Sequence, residues 1–265
     1  MNQRDRRIYL IEYLVREQSE YAGDKIPDDA IISDSDDEQK RLLRSLMNVR
    51  MPAVISDDFL KIQNEYLTEV KLEKGIISTE NMEELQKDIF LWKGDITRLA
   101  VGAIVNAANS GMTGCYHPCH NCIDNCIHTY AGVQLRKECE EIMIEQGHEE
   151  ATGGAKITKA YNLPCEYVIH TVGPIVQSKL TDYHREQLKS CYESCLSIAD
   201  ENKVKSIAFC CISTGVFMFP NEEAAKIAAK TVLDYKRKTG SHIQVVFNVF
   251  KEEDEIIYER LFKRF

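Results

Sequence analysis

The stretch Ala103-Ile104-Val105-Asn106-Ala107-Ala108-Asn109 decides how this chain is read. Its first three residues form a short apolar run that reads as a buried strand. Asn106 to Asn109 then set two amides among small residues, which reads as a polar turn ending the strand. Working outward, the same texture repeats. Ile89-Phe90-Leu91-Trp92 reads as the strand before it, and Tyr167-Val168-Ile169-His170 and Ser206-Ile207-Ala208-Phe209-Cys210 as strands after it. Residues 243–249 add another. Between them, 123–146, 182–202 and 221–238 repeat apolar positions at helical spacing, and 252–263 closes the series. In 123–146 the stripe is Ile127, Ala131, Leu135 and Ile142. Strands joined by crossover helices make an α/β protein with a largely parallel sheet covered on both faces.

The texture differs upstream. Residues 1–17, 38–48 and 57–73 read as helices, the second through Leu42, Leu43, Leu46 and Met47. A polar, acidic loop is expected from Ser19 to Asp37. We therefore divide the chain into a helical extension, 1–80, and an α/β domain, 81–265.

Bulk properties narrow the function. With 33 basic against 42 acidic groups the formal charge is −9, which leaves no general basic footprint for phosphate backbones, so nucleic acid is not an expected partner. No window approaches the roughly 18 apolar residues of a membrane span. The apolar run near the N-terminus is broken by Glu12 and shows no cleavage pattern. Five of the ten cysteines fall between Cys115 and Cys139, a clustering that favours metal over a disulfide scaffold. Cytoplasmic placement with reduced thiols is the expectation.

Four segments carry candidate chemistry. In Gly94-Asp95-Ile96-Thr97, Asp95 can accept from an exocyclic amine or simply cap a turn. Asn106 and Asn109 can donate to and accept from a ribose diol, or merely shape a loop. Ser213-Thr214-Gly215-Val216-Phe217 lies between strand and helix, where backbone N–H groups can face phosphates; Gly215 is expected to allow unusual dihedrals, and no Walker lysine accompanies it. Cys115-Tyr116-His117-Pro118-Cys119-His120-Asn121-Cys122 offers Cys115, His120 and Cys122 as three ligands suited to Zn2+. Three ligands leave an open catalytic position, whereas Cys119 or His117 as a fourth would close a structural site. Asp124 is placed to cap the following helix or to orient a water or sugar hydroxyl, with His128 one turn on. His170 reads as a packed core histidine.

Taken together, Gly94-Asp95-Ile96-Thr97, Ile104 to Asn109 and Ser213 to Phe217 resemble the macrodomain family. The segment Gly114 to Asn125, with Ile127-His128 and Ala131-Gly132, resembles its zinc-containing bacterial branch, as does Leu43-Arg44-Ser45-Leu46-Met47-Asn48-Val49-Arg50 in the extension. The resemblance implies a macrodomain-like three-layer α/β/α fold with a mostly parallel central sheet and an N-terminal helical extension. It implies ADP-ribose as ligand, with Asp95 on the adenine amine and Ile96 close by. Asn109 would reach the distal ribose, and Ser213, Thr214, Gly215, Val216 and Phe217 would wrap the diphosphate. Zinc would be held by Cys115, His120 and Cys122, with Asp124 and Asn109 serving catalysis. The implied activity is removal of mono-ADP-ribose from modified proteins. The implied associates are a sirtuin-like ADP-ribosyltransferase and a lipoyl-carrier protein of the glycine-cleavage H type. A non-catalytic ADP-ribose-binding module with structural zinc is the alternative. Two departures stand out: Gly102 replaces an aspartate common before this strand, and the glycine-rich, aspartate-containing loop of zinc-free hydrolytic macrodomains is missing.

Overall fold

The computed structural model describes residues 1–22 and 32–263. Seven strands form one mixed sheet in the order β1-β2-β7-β6-β3-β5-β4. The five inner strands, β2 (Ile89–Lys93), β7 (Gln244–Val249), β6 (Ser206–Phe209), β3 (Ala103–Ala108) and β5 (Tyr167–Val172), are parallel. Their continuous apolar runs follow from burial on both faces. The two edge strands, β1 (Glu83–Gln86) and β4 (Ala155–Lys159), are antiparallel to their neighbours. Neither was expected, because EELQ and AKITK carry too little apolar character to signal a strand. Polar, charged edges also discourage pairing with a second chain.

On one side lie α4 (Ile123–Ala131) and α5 (Val133–Gln146); α6 (Asp182–Glu201), α7 (Asn221–Thr239) and α8 (Glu252–Phe262) pack side by side in another row. The single helix expected over 123–146 is thus two. Gly132 breaks it at φ 99°, and an added Cβ there would stand 2.7 Å from Gln63 Nε2 of the extension. Gly102 is likewise dictated by packing. Its Cβ would sit 2.8 Å from Val204 and 2.9 Å from the Ser206 carbonyl, at the strand end away from the candidate site.

The extension comprises α1 (Gln3–Ala22), α2 (Asp36–Val49) and α3 (Asp57–Lys74). Of the expected acidic loop, residues 19–22 continue α1, 23–31 lie outside the described residues, and Asp36 and Asp37 already belong to α2. Ser35 and Ser56 cap α2 and α3 by accepting from the N–H groups of Glu38 and Phe59. Leu10, Ile11, Leu14, Leu43, Met47, Phe59 and Leu67 form a small core separate from the sheet's, joined by Val133 of α5. Two buried arginines tie the helices together: Arg7 to Asp36 and Gln39, and Arg50 to both oxygens of Glu17 at 2.7 Å. No described helix is long and apolar enough to cross a membrane.

Candidate functional site

The candidate residues gather at the carboxyl ends of the parallel strands, where open α/β sheets bind ligands. Asp95 follows β2, Asn109 and the cysteine-rich loop follow β3, and Ser213 to Phe217 follow β6, which neighbours β3.

β3 runs further than expected. Asn106 is not in a turn but inside the strand, wholly buried, and only Asn109 is exposed. The strand tolerates the amide because Asn106 Nδ2 donates to Asp124 Oδ1 at 2.7 Å and meets His170 Nδ1 at 3.1 Å. Asp124 is not the cap of α4. It sits in the first turn and is buried, while Cys122 caps the helix by accepting from the Asn125 N–H. Burial pushes the Asp124 carboxyl up to about 6, against the opposing pull of Asn106, Arg136 and Asn109. Its second oxygen accepts from Asn109 Nδ2 at 3.4 Å, and the same amide donates to the Gly114 carbonyl at 3.1 Å. Asp124 thus stands behind Asn109 and fixes its amide. His128 lies 3.6 Å from Asp124 on the same helix face; that is too long for a hydrogen bond, and burial holds the imidazole neutral, so the two are not an ion pair. His170 is a packed histidine as expected, its Nε2 3.0 Å from the Thr158 hydroxyl and its basicity lowered by burial to about 3.

Cys115, His120 and Cys122 converge, with their ligand atoms all within 4.8 Å and Cys115 Sγ 3.5 Å from His120 Nδ1. Metal–ligand bonds of about 2.0–2.3 Å put tetrahedral ligand atoms just under ~4 Å apart, so the set fits a zinc-sized ion. His117 and Cys119 stand outside it. The Cys119 thiol turns toward the Arg41 carbonyl at 3.4 Å, and its backbone N–H donates to Asn48 Oδ1 at 2.9 Å. Among the described residues three donors therefore converge here.

The residues that hold this loop carry no local signal in the sequence. Arg44 of α2 donates to the His120 carbonyl at 2.7 Å and to Asn125 Oδ1 at 3.0 Å. Asn125 Nδ2 donates to the His117 carbonyl at 3.0 Å. Buried Arg136 donates to the carbonyls of Asn48 and Arg50 at the end of α2 and lies 3.5 Å from that of Cys115, while its guanidinium covers the Tyr116 ring at 4.1 Å.

The Ser213–Phe217 loop closes on itself. Phe219 N–H donates to the Ser213 carbonyl and Met218 N–H to that of Gly215, both at 3.0 Å. Among the described residues, the N–H groups of Gly215, Val216 and Phe217 meet no acceptor. The positive dihedrals fall on Ser213 (φ 65°) and Met218 (φ 54°), not on Gly215 as expected; Gly215 instead faces open space, where a Cβ would meet no protein atom. Three residues separate the loop from α7, whose first turn carries Glu222 and Glu223. The loop's own N–H groups, not the helix end, are thus the donors available to an anion.

Asp95 does serve as a turn cap, accepting from the Thr97 N–H at 3.0 Å and the Thr97 hydroxyl at 2.6 Å. It also pairs with Lys74 of α3 at 2.5 Å. Burial raises its pKa, but Lys74 and Thr97 together outweigh this and hold the carboxyl below its ordinary value. Ile96 is buried beside it. Sequence reading passed over Phe250, which follows β7 next to β2. Its ring is 78% exposed at the same sheet end, and an aromatic so placed just after an apolar strand is the signal that would have found it.

Residues 105–228 match the model of the Macro domain family. A protein-ADP-ribose hydrolase of Treponema medium is 58% identical over 98% of this chain and 99% of its own length. One from Staphylococcus aureus (strain MSSA476) is 43% identical over 96% and 95%. The crystal structure of a Trypanosoma brucei macrodomain in complex with ADP-ribose superposes with a TM-score of 0.64 at 29% identity, covering 82% of this chain and 94% of that one. Sheet order, the loops at its carboxyl end and these similarities agree: the chain belongs to the macrodomain family, among relatives that carry the name protein-ADP-ribose hydrolase.

Proposed function

We propose that this protein uses zinc to remove mono-ADP-ribose from modified proteins. The observation that carries the proposal is the convergence of Cys115, His120 and Cys122, without Cys119 or His117, six residues past Asn109. A structural zinc site would be closed by a fourth protein ligand, so a three-donor set favours catalysis over simple binding.

In this reading the adenine lies between Asp95 and the exposed Phe250 ring, with Ile96 against its edge. Thr97 occupies both lone pairs of Asp95 Oδ1, so Oδ2, which meets Lys74, keeps one for the exocyclic amine. The diphosphate takes the N–H groups of Gly215, Val216 and Phe217, and Ser213 and Thr214 complete the wall. That anchors the distal ribose at Asn109, whose amide is held by Asp124 and the Gly114 carbonyl. Zinc bound by Cys115, His120 and Cys122 supplies a Lewis acid beside that ribose. Water then replaces the protein at the ribose, releasing ADP-ribose and the unmodified side chain. By family resemblance, a lipoyl-carrier protein of the glycine-cleavage H type is the substrate we put first. A sirtuin-like ADP-ribosyltransferase is the enzyme that would write the modification, and the cytoplasm the compartment.

The test follows release of ADP-ribose from a mono-ADP-ribosylated carrier protein by metal-loaded and chelated enzyme, and by Cys115→Ser and Cys122→Ser. Release should vanish on chelation and return with zinc. Each variant should lose at least ~100-fold in turnover, more than outer partners of a metal usually cost, and still bind ADP-ribose. Full turnover in a variant shown to be zinc-free would defeat the mechanism; binding without any release would favour the ADP-ribose reader.

A further inference from the structure

A second concavity lies outside the nucleotide cleft. A groove of about 680 Å³ runs between α2 and α3 of the extension and α4 of the macrodomain. Its walls include the apolar side chains Leu43, Leu67 and Val70, and Lys40, Arg41 and Arg44 stand along it. Four basic residues face it in all, with Lys74 the fourth, against the single carboxylate of Glu73. That is a reversal of sign in a chain of formal charge −9.

Most of this positive charge is not neutralised. Lys74 is taken by Asp95. Among the described residues, the side chains of Lys40 and Arg41, both exposed, meet no carboxylate. Arg44 bonds only neutral groups, and its Nε is buried without an acceptor. Three cations without a carboxylate partner among the described residues, over apolar walls that carry only Glu73 against them, suit a chain that is both anionic and apolar. A small anion would use the charges and leave the apolar surface wet. The groove also has a direction. Cys119 and Asn121 of the metal loop line it at one place, and Lys74, the partner of Asp95, at another, so it lies alongside the candidate site.

We propose that this groove docks an acidic segment of the protein that carries the ADP-ribose, holding the polypeptide while the nucleotide occupies the neighbouring cleft. The proposal rests on the hydrolase reading above for the identity of its partner, but not for the binding itself. Anisotropy titrations with two labelled ten-residue peptides, one of glutamate and leucine and one of lysine and leucine, test it on the full chain. The acidic peptide should bind, weaken steeply with salt, and bind roughly tenfold more weakly to Lys40→Glu/Arg41→Glu, without displacement by saturating ADP-ribose. Equal binding of the basic peptide or an unaffected double variant would overturn the proposal. So would displacement by ADP-ribose, which would make the groove a nucleotide-phosphate site.

Turnover supplies the second arm. The double variant should lose about tenfold in kcat/KM on an ADP-ribosylated acidic peptide, through KM, with unchanged affinity for free ADP-ribose. Loss through kcat, or equal loss of ADP-ribose affinity, would point to a damaged site and against docking. If wild-type protein binds the acidic peptide as described and releases ADP-ribose from nothing, the hydrolase reading fails and the groove stands.

Discussion

Two loops reach the same end of the sheet and are held there in opposite ways. Ser213–Phe217 is shaped by its own neighbourhood: the bonds Phe219 to Ser213, Met218 to Gly215 and Thr214 to Cys211 all span six residues or fewer, and among the described residues the one distant hydrogen bond is Val176 N–H to the Phe217 carbonyl. The metal loop has one backbone bond within it, His120 N–H to the His117 carbonyl at 3.2 Å, and one from its end into α4, Cys126 N–H to the Cys122 carbonyl at 3.1 Å. It is held instead by Arg44 and Asn48, more than 70 positions upstream, and by Arg136 and Asn125. One loop carries its shape in its own sequence. The other borrows it from the extension, which is therefore part of the site and not an appendage.

The largest break in this comparison should come from Arg44→Ala. It removes a brace of the metal loop, not a ligand, and outer-shell losses of this kind typically cost 10- to 100-fold in metal affinity. Zinc affinity by competition with a chelator should fall in that range, while ADP-ribose affinity at saturating zinc stays near wild type. Unchanged zinc affinity would mean that the loop holds its own shape after all.

Gly215→Val makes the reverse cut, with a smaller effect. A Cβ added there meets no protein atom within 4 Å, so folding should be little affected, but the side chain fills space that the proposed diphosphate site needs. Overpacking of about 1–3 kcal/mol corresponds to roughly 5- to 150-fold, and we expect the lower half of that range because the loop is exposed. Calorimetric titration with ADP-ribose should show the loss and metal analysis should show none. If zinc content fell as well, the two loops would be coupled.

The same contrast explains what the sequence could disclose. The inner strands were legible because burial on both faces demands continuous apolar runs, and α2 because Leu42, Leu43, Leu46 and Met47 recur at helical spacing. The convergence of Cys115, His120 and Cys122 was legible because these donors sit close together along the chain. β1 and β4 were not, since edge strands need little apolar surface. Asn106 was misplaced into a turn because its strand position depends on Asp124 and His170, neither of which is adjacent in sequence. The break at Gly132 depends on Gln63, and Gly215 was credited with dihedrals that Ser213 and Met218 carry. Asn106 and Gly132 were misread because each depends on distant residues, whereas what was found is local chemistry or periodicity.

Lys74–Asp95 is where the extension touches the proposed adenine end of the cleft, and there the comparison predicts a small effect. Both side chains are partly exposed, at 25% and 35%, and an ion pair so placed contributes about 0–1 kcal/mol. Asp95→Asn should therefore lower the melting temperature by no more than about 2–4 °C at neutral pH. The sign with pH follows from the depressed carboxyl. The folded chain holds Asp95 ionised below the ordinary value of 3.8, so the contact's contribution is complete above that pH. It disappears as pH falls through the lower, folded value. Melting curves of wild type and variant between pH 7 and pH 2.5 should thus converge at the acid end. A gap that persists there would show that the Thr97 bonds, not the charge of Lys74, are what Asp95 contributes to this junction. The extension would then steady the metal loop alone.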